Sequence, residues 1–146
     1  MQIQIIDPRL NKDSFKPTTK GSASIDLYAS IQSPLLLIPG QLQIIPTGIR
    51  IAIPQYWVVV ITPKSSRGSE GLVLGNLTSI IDSDYRGEIY LQMWNRSNNN
   101  AISIIPLERI AQMIIAPHYE HCCIDISIDD LNKTTSGESG FENTGK

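Results

Sequence analysis

Short runs rich in Ile, Leu and Val, broken by Pro, Gly, Asn and Ser, narrow most what this chain can become. They fall at residues 2–6, 24–29, 35–38, 41–45, 48–53, 57–62, 72–74, 79–81, 88–94, 101–105, 110–116 and 123–127. Between them stand Pro34, Pro39-Gly40, Pro46-Thr47-Gly48, Pro54, Pro63, Asn98 to Asn100, Pro106 and Pro117. Many short strands at this spacing point to an all-β sandwich or barrel. Only residues 64–71 suit a helix, about two turns long, with Ser65 or Ser66 as its N-cap. No internal repeat is present.

At 146 residues, 41% hydrophobic and with a net charge of −2, the chain reads as one soluble globular domain. A pI near 5.6 gives no global field for stable nucleic-acid binding, so phosphate recognition must come from a local cluster. No apolar run is long enough to span a bilayer, and Met-Gln-Ile-Gln-Ile-Ile-Asp lacks the pattern of a signal peptide. Cys122 and Cys123 are adjacent and poorly placed to bridge each other, so a reducing cytoplasm is expected. Residues 129–146 are polar and rich in Gly and Ser; a β-domain over 1–128 followed by a mobile arm is expected.

One stretch carries more chemistry than a connection needs. Gly75-Asn76-Leu77-Thr78-Ser79-Ile80-Ile81-Asp82-Ser83-Asp84-Tyr85-Arg86-Gly87-Glu88-Ile89 lies between two apolar runs and reads as a β-hairpin. A simple hairpin needs Asn-Gly or Asp-Gly; Asp-Ser-Asp-Tyr-Arg-Gly-Glu suggests a site, although a charged surface turn explains it equally when taken alone. Four further segments stand out: Gly21-Ser22-Ala23-Ser24-Ile25-Asp26-Leu27-Tyr28-Ala29, Pro63-Lys64-Ser65-Ser66-Arg67-Gly68, Glu108-Arg109-Ile110-Ala111-Gln112-Met113 and the Gly-rich Ser136 to Gly145. By themselves they read as a half-buried strand, a helix cap, a second strand and a solvated tail.

Together, and in this order, the five segments resemble the motifs of the trimeric deoxyuridine triphosphatases (dUTPases). The resemblance implies a jelly-roll-like β-barrel or sandwich with one short helix and a flexible C-terminal tail. It implies a homotrimer whose active sites lie between subunits and hydrolyse dUTP to dUMP and pyrophosphate. Asp82 is then the general base for the attacking water. Tyr85 lies against the deoxyribose and excludes a 2′-hydroxyl by a clash, and Asn76, with the hairpin backbone, reads the uracil edge. Ile81 and Met93 fall among the substrate-binding positions. Lys64, Ser65, Ser66, Arg67 and Gly68 form a phosphate loop, joined by Gln112. Phe141 stacks over uracil and Thr144 meets the γ-phosphate. Mg²⁺ is implied as the cofactor, carried by substrate phosphates and waters with Asp26 behind them and no direct protein ligand. Arg109, Asp84, Arg86 and Glu88 brace the site and the turn.

The chain departs from the family pattern at five positions. Lys64 replaces an arginine and loses the bidentate fork. Leu107 replaces a turn glycine. Ser136 stands where an arginine clamps the γ-phosphate, and Ser139 and Glu142 replace glycines. These changes lead us to expect weaker closure over substrate than is typical, with Lys133, Lys146 and Arg67 the cations available to stand in. Two alternatives remain open: a dUTP-binding or signalling module with a degraded lid, and a dCTP deaminase of the same fold, which needs a glutamate where Asp82 stands. His118-Tyr119-Glu120-His121-Cys122-Cys123 holds metal-ligand types, but its spacing fits no zinc pattern and puts the two rings on opposite faces of a strand.

Overall fold

The computed structural model describes residues 1–17 and 19–119. Ten strands occur in it: β1 Gln2–Ile5, β2 Ile25–Tyr28, β3 Leu35–Leu37, β4 Leu42–Ala52, β5 Trp57–Pro63, β6 Leu72–Leu74, β7 Ser79–Ile81, β8 Glu88–Asn95, β9 Ile102–Ile104 and β10 Arg109–Pro117. Among the described residues there is a single α-helix, α1, Ser65–Ser69. The strands form two four-stranded antiparallel sheets, ordered β1-β4-β8-β6 and β2-β10-β5-β7, and a two-stranded sheet of β3 and β9. The architecture is a sandwich, without a closed barrel among the described residues. The strand expected at 123–127 and the domain boundary after residue 128 lie outside them.

The core is aliphatic. Leu27, Ile45, Ile49, Val59, Ile61, Leu72, Leu74, Leu91, Met93, Ile104 and Ile110 are fully buried, and they come from both large sheets and the small one. Strand β8 alternates strictly, with Ile89, Leu91 and Met93 inward and Tyr90 and Gln92 outward, the period of a sheet with one wet face. Asn95 closes its end without exposed surface. Its amide donates to the Leu37 carbonyl (2.9 Å) and the Asn100 carbonyl (2.8 Å), and its oxygen accepts from the Ser97 N–H (2.9 Å). A fully satisfied buried amide of this kind ties the small sheet to the large one.

Three local features differ from the sequence reading. The runs expected at 41–45 and 48–53 merge into one strand, β4 (Leu42–Ala52), because the stretch from Pro46 to Arg50 makes a register shift against β8 and not a break. The missing Pro N–H is tolerated at such a bulge, and Gly48 takes φ +71°. The helix is capped by Lys64, with no side-chain cap bond; the serines sit inside the first turn. A 3₁₀ turn at Lys12–Phe15 was not anticipated, although Asn11 caps it in the usual manner, accepting from the Asp13 (2.8 Å) and Ser14 (3.3 Å) N–H groups.

The Gly48 bulge also seats the most buried carboxylate described. Asp7, 5% exposed, accepts from Arg9 through both oxygens (2.9 and 2.5 Å) and from the Ser30 hydroxyl (2.5 Å). A Cβ at residue 48 would fall 2.6 Å from Asp7 Cβ, so only glycine leaves room. The Arg9 guanidinium holds the Asp7 carboxyl far below its ordinary value of 3.8, against the opposing pull of burial; Ser30 and the Arg9 N–H add to it. A depressed carboxylate stabilises the fold above its unfolded value and loses that contribution as pH falls toward the folded one. Asp7→Asn is therefore expected to destabilise the protein at pH 7 by about 3 kcal/mol. Urea titrations from pH 7 to pH 3 should find the gap to the unsubstituted protein constant down to about pH 4 and narrowing below it.

Candidate functional site

The connection from β6 to β8 leaves its own sheet. β6 and β8 pair antiparallel, Leu74 opposite Met93, but β7 crosses to the other sheet and pairs with β5, Ile81 opposite Val59. Asp82 follows β7 directly and is exposed, as are Asp84, Tyr85 and Arg86. Ile80, Ile81, Asp82, Tyr85, Ile89 and Tyr90 line a shallow cleft of about 280 Å³, with Glu88 at its wall. Asn76 is exposed at the other end of β7, its amide donating to the Ser79 hydroxyl (2.8 Å). Met93 contributes no surface: it is fully buried in the core beneath.

Tyr90 was missed in the sequence, where it reads only as an outward residue of β8. Its hydroxyl donates to Glu88 Oε2 (3.1 Å), which also pushes the phenol above its ordinary value. Glu88 Oε1 accepts from the Gly48 N–H (3.0 Å), fastening the end of the hairpin to the β4 bulge.

A second group of side chains gathers where β2, β10 and β5 meet. Gln112 pairs with Asp26 on one side and Thr62 on the other, so the three stand in one row on one face. Lys64 Nζ donates to Asp26 Oδ1 (2.5 Å), and Arg109 approaches Asp26 Oδ2 (3.2 Å). Gln112 accepts from the Ser24 hydroxyl (2.9 Å) and donates to the Pro63 carbonyl (3.3 Å). Next to this row, Ser65 and Ser66 are exposed at the start of α1, with Gly68 behind them. Small residues there leave N–H groups accessible to an anion.

The Arg67 guanidinium is committed elsewhere. It binds Glu70, donates to the Ser103 carbonyl (2.6 Å) and lies 3.0 Å from Glu108 Oε1, with Nε too misaligned there for a hydrogen bond. Glu108 in turn accepts from the Ile105 N–H (3.0 Å) and closes the turn that Leu107 occupies at φ +58°. Leucine holds this left-handed position while its side chain packs against the core, so burial offsets backbone strain of about 1–2 kcal/mol.

The two groups do not meet within one chain. Asp82 lies beyond the Val59–Ile81 pair, while Ser65 lies past the opposite end of β5. At ~3.3 Å per residue, they are about 20 Å apart along the strand. Phe141 and Thr144 lie outside the described residues. Among the described residues no trio of His, Cys, Asp or Glu is placed to hold a metal ion, and no helix is long and apolar enough to cross a membrane.

The family model for dUTPase matches residues 11–145. The chain is 40% identical to the deoxyuridine 5'-triphosphate nucleotidohydrolase of Paraburkholderia phymatum, covering all of this chain and 98% of that protein. It is 42% identical to the protein of the same name from Methylibium petroleiphilum, covering 100% and 97%. In fold it resembles the dUTPase of Staphylococcus bacteriophage 80alpha, solved with dUPNHPP, at a TM-score of 0.76 and 22% identity over 99% of this chain and 98% of that one.

Replacing Arg67 removes three anchors of the α1 loop at once. Arg67→Gln is expected to lower stability by ~2 kcal/mol, and limited proteolysis should find faster cutting near residues 65–70 than in the unsubstituted protein.

Proposed function

Because this chain belongs to the dUTPase family, an enzyme family, we propose that it hydrolyses dUTP to dUMP and pyrophosphate. The observation that carries the reading is the hairpin cleft, which puts an exposed carboxylate, Asp82, beside an aromatic wall, Tyr85, and the apolar Ile81. Asp82 takes a proton from a water whose oxygen bonds to the α-phosphorus. The bond from that phosphorus to the α,β-bridging oxygen breaks, and pyrophosphate departs. Tyr85 meets the sugar, and Asn76 and the hairpin backbone meet the base.

Ser65, Ser66 and Gly68 take the phosphates with backbone and hydroxyl donors, and Lys64 and Gln112 adjoin them. Lys64 then exchanges or shares its bond to Asp26 with a phosphate. Arg67 serves this loop by fixing it against Glu108 and Ser103. From the last segment, Phe141 covers uracil and Thr144 the γ-phosphate.

Magnesium fits this donor set as part of the nucleotide: Asp26, whose carboxylate binds Lys64 at the start of the phosphate loop (2.5 Å), would meet its waters, and the bound ion would supply charge neutralisation. The separation of about 20 Å between Asp82 and Ser65 along β5 argues that each site is shared between copies. A homotrimer meets that need, and Leu42, Ile44 and Tyr90, about half exposed on β4 and β8, offer apolar surface for it. The corresponding role is to limit uracil in DNA and to supply dUMP for thymidylate synthesis in the cytoplasm.

Incubation with dUTP, dCTP, dTTP and UTP in the presence of Mg²⁺ should release dUMP and pyrophosphate from dUTP alone. Ammonia release would instead identify a deaminase, and dUTP binding without turnover a binding module. Asp82→Asn should reduce kcat by at least ~100-fold while leaving the dUTP Kd nearly unchanged. Ser136→Arg should raise kcat/KM, read in the same pyrophosphate assay.

A further inference from the structure

Gly87 sits two residues past Tyr85, and its backbone lies outside the left-handed region, so its conformation alone does not call for glycine. Space does. A Cβ built on Gly87 would fall 2.7 Å from Tyr85 Cζ and 3.2 Å from Cε2, with the hydroxyl closer still. The phenol end of Tyr85 therefore fills the space beside Gly87 that a side chain would need. Its hydroxyl donates to the Glu88 carbonyl (2.9 Å), so the phenol end of the ring is held by packing and by a hydrogen bond. The residue that receives it is itself fixed, since the Glu88 carboxylate binds the Gly48 N–H and the Tyr90 hydroxyl. Ring and anchor both border the cleft that holds Asp82, and Gly87 lies between them in the chain.

We infer that Gly87 is a specificity-determining positioning residue: its missing side chain seats the Tyr85 ring at the height that excludes a 2′-hydroxyl. The inference rests on the assignment of Tyr85 to the sugar made above and deepens it. A Cβ at residue 87 meets only the far end of a side chain, which swings aside at little expense to the fold. Gly87→Ala therefore moves the wall and leaves the hairpin standing. The wall loses its hydrogen bond to Glu88 and its fixed height together.

The test compares dUTP and UTP with the unsubstituted protein, Gly87→Ala, Tyr85→Ala and the double variant, measuring kcat and KM separately. Titration with dUpNHpp and its ribonucleotide counterpart reads the same preference without turnover. Gly87→Ala should keep its Tm within about 3 °C and lose about tenfold or more of the deoxy preference, chiefly through KM. In the Tyr85→Ala background the same substitution should change the preference no further, because its effect passes through the ring. A folded Gly87→Ala protein with the original preference overturns the inference, as does an equal loss in both backgrounds. Failure of the underlying reading is distinct: the unsubstituted protein then shows no dUTP preference, or Tyr85→Ala leaves that preference intact.

Discussion

The register of β10 against its two neighbours is the constraint on which the row of Asp26, Gln112 and Thr62 depends. Gln112 stands opposite both Asp26 and Thr62, so residues from three distant parts of the sequence share one row. A slip of one position would turn Gln112 inward and Ala111 or Met113 outward, exchanging a polar row for an apolar one. The core forbids it, because Ala111 and Met113 are buried on the opposite face. Aliphatic burial thereby places polar chemistry without touching it. The bulge between Arg109 and Ala111 lets Arg109 reach Asp26 from beyond the regular ladder.

The hairpin is positioned by a different device. β7 is only three residues long, yet it moves the chain from one sheet to the other and delivers Asp82 at the far end of β5. Glu88 then returns the chain to β8 with its carboxylate on the β4 bulge. The same bulge admits Asp7 to its buried pairing with Arg9 and Ser30. One glycine, Gly48, thus joins the segment after β1, the long strand β4 and the hairpin that carries Asp82. A side chain there would disturb stability and site together.

Strand positions were legible because each aliphatic run is short and ends at Pro, Gly or Asn. Pro46 misled that reading: a proline in a run ordinarily stops a strand, but a bulge removes the need for its N–H. The helix at 65–69 was legible from its small residues, whereas its cap was not, because Lys64 caps by backbone conformation alone. Asp26 and Gln112 could be named from motif resemblance, but their shared row follows from pairing across more than eighty residues of sequence. Local pattern contains no record of that partnership. Likewise, nothing in Tyr85-Arg86-Gly87 says that the phenol folds back onto the glycine, where its hydroxyl meets the Glu88 carbonyl. Leu107 stands where a turn glycine is usual, and the turn forms with the leucine side chain packed against the core.

The pairing of β2 with β10 has a consequence for how the molecule comes into being. Ile25 and Met113 are partners, so the segment bearing Asp26 has no completed sheet until almost the whole described chain has been made. β5 waits for the same strand. Long-range antiparallel closure of this kind is slow, since the loop entropy is lost before the contacts form. During synthesis, the edges of β2 and β5 stay open until β10 emerges, and in that interval they are surfaces that chaperones or other strands can occupy.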